Sequence, residues 1–163
     1  MKRVINIGNK KQAYIALEQF RNKHYESIDI EFTNVHLTRL NELVGYKLFR
    51  KNSLYVRSST LWEIMQPVGK GGKHHYHGLE PCEIVNALSS LFDTVLIYQS
   101  YSNRYAALVL GEKYPVLMVV IELNAGLENN RGADINKQVT IYPKENLYKF
   151  RKHLNEKDIL YKK

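Results

Sequence analysis

The run PVLMVVIEL, residues 115–123, constrains the fold more than any other stretch. Only Glu122 interrupts its apolar character after the proline. A strand built from it therefore carries apolar side chains on both faces. Such a strand belongs at the centre of a sheet with both faces covered. Two β-rich runs precede it, TVLIYQS (94–100) and YAALVLG (105–111), divided by the turn formers SNR and GEKYP. A fourth, KQVTIY (137–142), follows the loop NAGLENNRGADIN. Short turns between alternating runs predict an antiparallel meander.

Helical spacing dominates the rest. In KKQAYIALEQFRNKH (10–24), Ala13, Leu17 and Phe20 share one helical face. TRLNELVG (38–45) reads as a short helix ending at glycine. Residues 26–36 make a weaker strand, with Ile28 and Ile30 alternating with charge, and SLYVRSS is another short strand. TLWE matches a capping box, Thr60 capping and Glu63 reaching back, for a helix over 61–66 that Pro67 stops. LEPCEIVNALSSLF is the clearest helix. Pro81 suits its first turn, and Ile84, Val85, Leu88 and Leu91 or Phe92 form its buried stripe. PKENLYKFRKHL predicts a last helix opened by Pro143, with Leu147, Phe150 and Leu154 on one face, and ILYKK is an edge strand or tail. The order predicts an α+β fold, a curved antiparallel sheet of about four strands with helices packed on one face.

Charge is uneven along the chain. The net charge is +8, and residues 1–52 hold ten Lys/Arg against five Asp/Glu, while residues 53–163 hold fourteen against eleven. A soft boundary therefore divides a basic helical N-terminal extension, residues 1–52, from a domain over 53–163. A basic surface suits an anionic partner, most often nucleic acid, although solubility alone accounts for many basic domains. The twelve tyrosines can fill a core or stack on bases. No apolar run approaches the ~18 residues of a membrane span, and the start MKRVINIGNKK lacks a signal peptide's apolar stretch. The single cysteine, Cys82, excludes an internal disulfide and fits a reducing compartment. These features predict a soluble chain in the cytoplasm of a bacterial or phage-infected host cell.

The stretch GGKHHYHGLEP (71–81) concentrates three of the six histidines within four positions. A zinc reading fits it poorly. His74 and His75 are neighbours that point apart, and no second Cys/His pair closes a site with His77 and Cys82, which can itself be a core residue. A phosphate-binding loop of the nucleotide triphosphatase kind fails too, since Lys73 is followed by His where Ser or Thr is required. Neither a metal nor a cofactor is expected. Acid–base chemistry fits better, because histidine exchanges protons near neutrality. RNA cleavage without a metal needs a base for the 2′-hydroxyl, an acid for the leaving oxygen and cations for the phosphate. Lys73 and Arg104 are candidate phosphate partners, and Ser100, Asn136, Thr140 and Tyr142 candidate orienting groups at strand ends. The plainer reading of the histidines is a solvated loop with one ring tucked against the helix.

The segments LYVRSSTLWEIMQPVGKGGKHHYHGLEP, EIVNALSSLFDTVLIYQSYSNRYAALVL, PVLMVVIEL, ADINKQVTIYPKENL and DILYKK run in this order through residues 54–163. Together they resemble the phage MuF C-terminal nuclease-like domain, of the barnase, EndoU, colicin and RelE-like (BECR) ribonuclease superfamily. The resemblance implies helices packed on an antiparallel sheet and metal-independent cleavage of RNA, often tRNA, in phage or toxin settings. It implies a site made of KHHYHG, with Lys73, His74 and His77 and with Tyr76 nearby, of Arg104 from YSNRYA, and of Asn136, Thr140 and Tyr142 from INKQVTIYP. In this reading His74 or His77 is the general base or acid, Lys73 and Arg104 stabilise the phosphate, and Thr140 and Tyr142 position the substrate. The expected partners are RNA and a protein inhibitor or antitoxin. Two rivals dispense with catalysis: an RNA-binding or phage accessory module, and an inhibitor or interaction protein using a sheet edge or a tyrosine-rich face.

Overall fold

Residues 116–123 form the strand that organises the fold. The structure is a computed structural model and describes residues 2–22, 27–68, 76–123 and 136–163. In chain order the elements are β1 (Lys2–Asn6), α1 (Lys10–Asn22), β2 (Asp29–Thr33), α2 (Arg39–Val44), β3 (Leu54–Arg57), α3 (Ser58–Met65), α4 (Pro81–Ser89), β4 (Leu96–Tyr101), β5 (Arg104–Leu110), β6 (Val116–Leu123), β7 (Asn136–Lys144), α5 (Leu147–Lys152) and β8 (Ile159–Lys162). A 3-10 turn, Ser90–Asp93, extends α4, and another, Glu156–Asp158, precedes β8.

The α+β class stands. The four expected strands are β4 to β7, paired antiparallel in sequence order, and β8 joins β4 as a fifth, edge strand. Three N-terminal strands extend this to a mixed sheet of eight, ordered β1-β2-β3-β7-β6-β5-β4-β8. β1 lies parallel to β2, β2 antiparallel to β3, and β3 parallel to β7 at Tyr55↔Lys137. Residues 1–52 therefore supply two strands to the same sheet as the rest of the chain, and α1 to the core packed on it.

Alternation along β6 explains its composition. Leu117, Val119 and Ile121 join Ile97, Ala107, Val109 and Ile141 on one face. Ala13, Leu17 and Phe20 of α1, Leu61 and Ile64 of α3, and Ile84 and Leu88 of α4 belong to that same core. Val116, Met118 and Val120 join Leu96, Tyr98, Ala106 and Leu108 on the other, against Leu147, Phe150 and Leu154 from α5 and its C-terminal end. Helices thus lie on both faces, because a strand that is apolar on both sides leaves neither to water. Each such side chain fully buried is worth about 1.5–3 kcal/mol.

Two helix starts differ from expectation. α3 begins at Ser58, straight out of β3, with Arg57 as its N-cap and no side-chain cap, so Thr60 lies inside the helix and caps nothing. The capping box is instead Glu80–Glu83, where Glu83 Oε2 accepts from the Glu80 amide at 2.8 Å and Pro81 fills the first turn. Pro143 remains in β7 opposite Leu117, and α5 is capped by Asn146, whose Oδ1 accepts from the Lys149 amide at 3.0 Å. Gly45 does end α2, at φ 86°. No helix of the described residues is long and apolar enough to cross a membrane.

Candidate active site

The approach to α4 is fixed by its backbone. The Gly78 amide donates to the Gln66 carbonyl at 2.7 Å, and the Leu79 amide to the Ile64 carbonyl at 3.0 Å. Residues 77–79 therefore lie along the C-terminal end of α3, with Leu79 in the core. Gly78 takes φ 66°, which glycine adopts without strain. The result aims His77 inward at 8% exposure. Just before it, Tyr76 sets its ring edge-on to Trp62, centroids 5.7 Å apart.

β7 supplies the other wall. Thr140 and Tyr142 are two residues apart, so they share a face of the strand. Thr140 is buried and Tyr142 half-buried. The Tyr142 ring lies 4.4 Å from that of His77, centroid to centroid, tilted by 63°. Lys144 Nζ stands 5.6 Å from the Tyr142 ring and 5.1 Å from that of Phe150, within the range of cation–π attraction. Lys144 also lines an open groove of about 490 Å³, together with Pro143, Glu145, Asn146, Lys149 and Phe150.

The remaining candidates lie elsewhere or serve the fold. Lys73, His74 and His75 fall outside the described residues. Arg104 Nε bonds Glu122 Oε1 across the strand pair at 3.3 Å. Arg104 sits beside Glu122, whereas Tyr142 sits beside Met118, two strands over and four residues along. With ~3.3 Å per residue and ~4.8 Å per strand, their backbones are about 16 Å apart. Arg104 is therefore set well apart from Tyr142 and already holds a carboxylate. The Ser100 hydroxyl donates to the Arg104 carbonyl at 3.3 Å, at the same remote end. Asn136 is buried and structural: its amide donates to the carbonyls of Lys51 at 2.9 Å and Ser53 at 3.2 Å.

No family model, curated protein or solved structure matches this chain. Among the described residues no three of His, Cys, Asp and Glu gather where a metal ion could be held. Cys82 is exposed rather than core. Partial burial first, then the Glu80 and Glu83 carboxylates, push its thiol above the usual range. It stays a protonated thiol at neutral pH, a poor nucleophile.

The structure thus brings together His77 and Tyr142, sets Thr140 alongside, and adds two lysines that the sequence reading passed over. Their signal was present: PKENLYKFRK sets Lys144 and Lys149 beside aromatic residues, next to the strand that carries Tyr142. What this group can do chemically is exchange a proton at an imidazole beside a phenol, with ammonium groups close by to hold an anion.

Proposed function

We propose that the chain is a metal-independent endoribonuclease-like domain of phage or mobile-element origin that cleaves RNA, tRNA included. One observation carries this reading. His77 and Tyr142, from distant parts of the sequence, meet ring to ring, and Lys144 stands over the same tyrosine. His77 exchanges the proton, Tyr142 with Thr140 positions the ribose, and Lys144 and Lys149 offset the phosphate charge. The 2′-oxygen loses its proton and bonds to phosphorus. The bond from phosphorus to the 5′-oxygen breaks, and that oxygen takes up a proton. The products are a 2′,3′-cyclic phosphate and a 5′-hydroxyl end. In the toxin form of the reading, an inhibitor or antitoxin accompanies the chain, and expression without one is poorly tolerated.

The test is incubation of purified protein with tRNA and mixed RNA in EDTA. Cleavage is expected, reduced 10²- to 10⁴-fold in His77→Ala and His77→Gln. Thermal melts of both variants separate lost chemistry from lost folding. Undiminished cleavage in both folded variants removes His77 from the mechanism, and intact RNA in every assay removes the enzyme reading.

A second reading is favoured by the burial of His77, which at 8% exposure packs as a core ring does. It is a non-catalytic RNA-binding or phage accessory module. It predicts salt-sensitive RNA binding without product in the same assay.

A further inference from the structure

We infer that residues 45–52, the connection from α2 to β3, form a docking groove for single-stranded RNA, separate from the His77 site. The sequence there is GYKLFRKN, with three cations, two aromatic rings and no acid. Tyr46 is 52% exposed, although its ring is large and apolar. Lys47, Arg50 and Lys51 are exposed around it. Tyr46, Lys47 and Arg50 border an open groove of about 580 Å³, and Lys51 follows next in the chain. The one acid on its lining, Glu42, is paired with Arg39. Neither Lys47 nor Lys51 has an acidic partner among the described residues. The face is therefore positive with an exposed ring at its centre, the combination that stacks a base and holds its phosphates.

The loop is also held in place. Asn41 Oδ1 accepts from the Leu48 and Phe49 amides at 2.8 and 2.7 Å, and its Nδ2 donates to the Phe49 carbonyl at 2.6 Å. Asn52 Oδ1 accepts from the Thr38 amide at 2.8 Å, and Asn136 holds the Lys51 carbonyl at 2.9 Å. Three amide clamps, Asn136 buried, Asn41 half-buried and Asn52 exposed, hold the backbone of this loop from Leu48 to Asn52 before any partner arrives. Preorganisation of this kind lowers the entropic cost of binding.

Single-stranded RNA is favoured over an acidic protein, because an exposed ring among cations suits a stacked base between phosphates. The groove adjoins the start of β7, six residues before Tyr142, or about 20 Å at ~3.3 Å per residue. It would hold an RNA strand away from the point of scission. The inference takes its partner from the RNA reading above but does not require cleavage.

The experiment measures fluorescence anisotropy of the full chain with a 2′-O-methyl RNA 12-mer, which 2′-hydroxyl attack cannot cut. Duplex RNA of the same sequence, single-stranded DNA and polyglutamate are the comparison ligands. Tyr46→Ala is expected to weaken binding of the 12-mer about tenfold or more, Tyr46→Phe to retain it, and Tyr14→Ala on α1 to leave it unchanged. Lys47→Gln and Lys51→Gln are each expected to lower the slope of log affinity against log salt by about 0.7. Duplex RNA is expected to bind without dependence on Tyr46, and single-stranded DNA to share the dependence. The inference is overturned if Tyr46→Ala, folded by thermal melt, binds the 12-mer like the parent. It is equally overturned if polyglutamate displaces the 12-mer through Tyr46. Tyr46-dependent binding in a protein that cuts no RNA sinks the nuclease reading and leaves the groove standing. Cleavage with Tyr46-independent binding does the reverse.

Discussion

Asn136→Ala distinguishes a residue that binds substrate from one that holds the fold. The Asn136 side chain is 4% exposed at the first position of β7, and its amide donates to two backbone carbonyls, those of Lys51 and Ser53. Alanine removes both bonds at once. Each is worth about 0.5–1.5 kcal/mol net, and a carbonyl left dry costs more, about 1–3 kcal/mol. Lys51 is exposed and Ser53 half-exposed, so water can reach part of what is lost. The expected loss is therefore about 2 kcal/mol. For a chain of this size that lowers the melting temperature by roughly 4–8 °C. With a urea slope of about 2 kcal/mol per molar, the midpoint falls by roughly 1 M. The assay is urea unfolding followed by circular dichroism and by fluorescence of the single tryptophan, Trp62. Asn136→Asp serves as a second variant, since it keeps the shape and loses the donors. If both variants unfold within about 0.5 kcal/mol of the parent while RNA cleavage collapses, the clamp argument fails and Asn136 returns to the substrate.

Two further changes test how the site is built. Gly78→Ala places a side chain at φ 66° with its Cβ 3.3 Å from Val68 Cγ2. It should destabilise by about 1–2 kcal/mol and disturb the His77–Tyr142 contact, read as a shift of the His77 ring protons by NMR; an unchanged melt would refute the backbone argument. At high pH, Tyr98 reports on the α5 face: burial first, then the neighbouring Tyr142 phenol, raise its phenol above the ordinary value near 10. The stability that comes from its neutral form is therefore complete below pH ~10 and is lost as pH climbs through the raised value. Alkaline unfolding should become less steep in Tyr98→Phe, and one late-ionising tyrosine should disappear from the titration at 295 nm. An unchanged ultraviolet titration counts against burial as the cause.

Strands β4 to β7 and helix α4 were legible because their patterns are local. Alternation and a helix-opening proline need no tertiary knowledge. β1 was not legible: Lys2, Arg3 and Asn6 dilute its apolar signal, and Val4 faces water while Ile5 is buried. Its pairing with β2 is parallel and needs α1 as the crossover between them. The start of α3 was hidden because β3 runs into it without a capping side chain. Pro143 misled in the opposite way, since a proline that suits a helix start is also tolerated in this strand. In the site, residue types alone pointed to His77 and Tyr142 but not to their meeting. Arg104 looked like a free phosphate ligand only while the register that sets Glu122 beside it was unknown.

The meeting of His77 and Tyr142 follows from how short β3 is. β3 runs parallel to β7 and registers with it at Tyr55↔Lys137, then ends at Arg57 and becomes α3 at the next residue. β7 continues to Lys144, so its stretch 140–144 extends past the end of its neighbour. α3 packs against β7 in that space. The Ser58 hydroxyl accepts from the Ile28 amide at 2.9 Å, and the Ser58 amide donates to the Ile28 carbonyl at 2.9 Å, which fixes the corner between strand and helix. The chain leaving α3 returns along its C-terminal end through the Gln66 and Ile64 carbonyls, and His77 enters the gap beside Tyr142. A longer β3 would pair with residues 140–144 and fill that gap with backbone. The N-terminal strands thus bear on the site through the point where their sheet stops, although none of the residues grouped at the site comes from them.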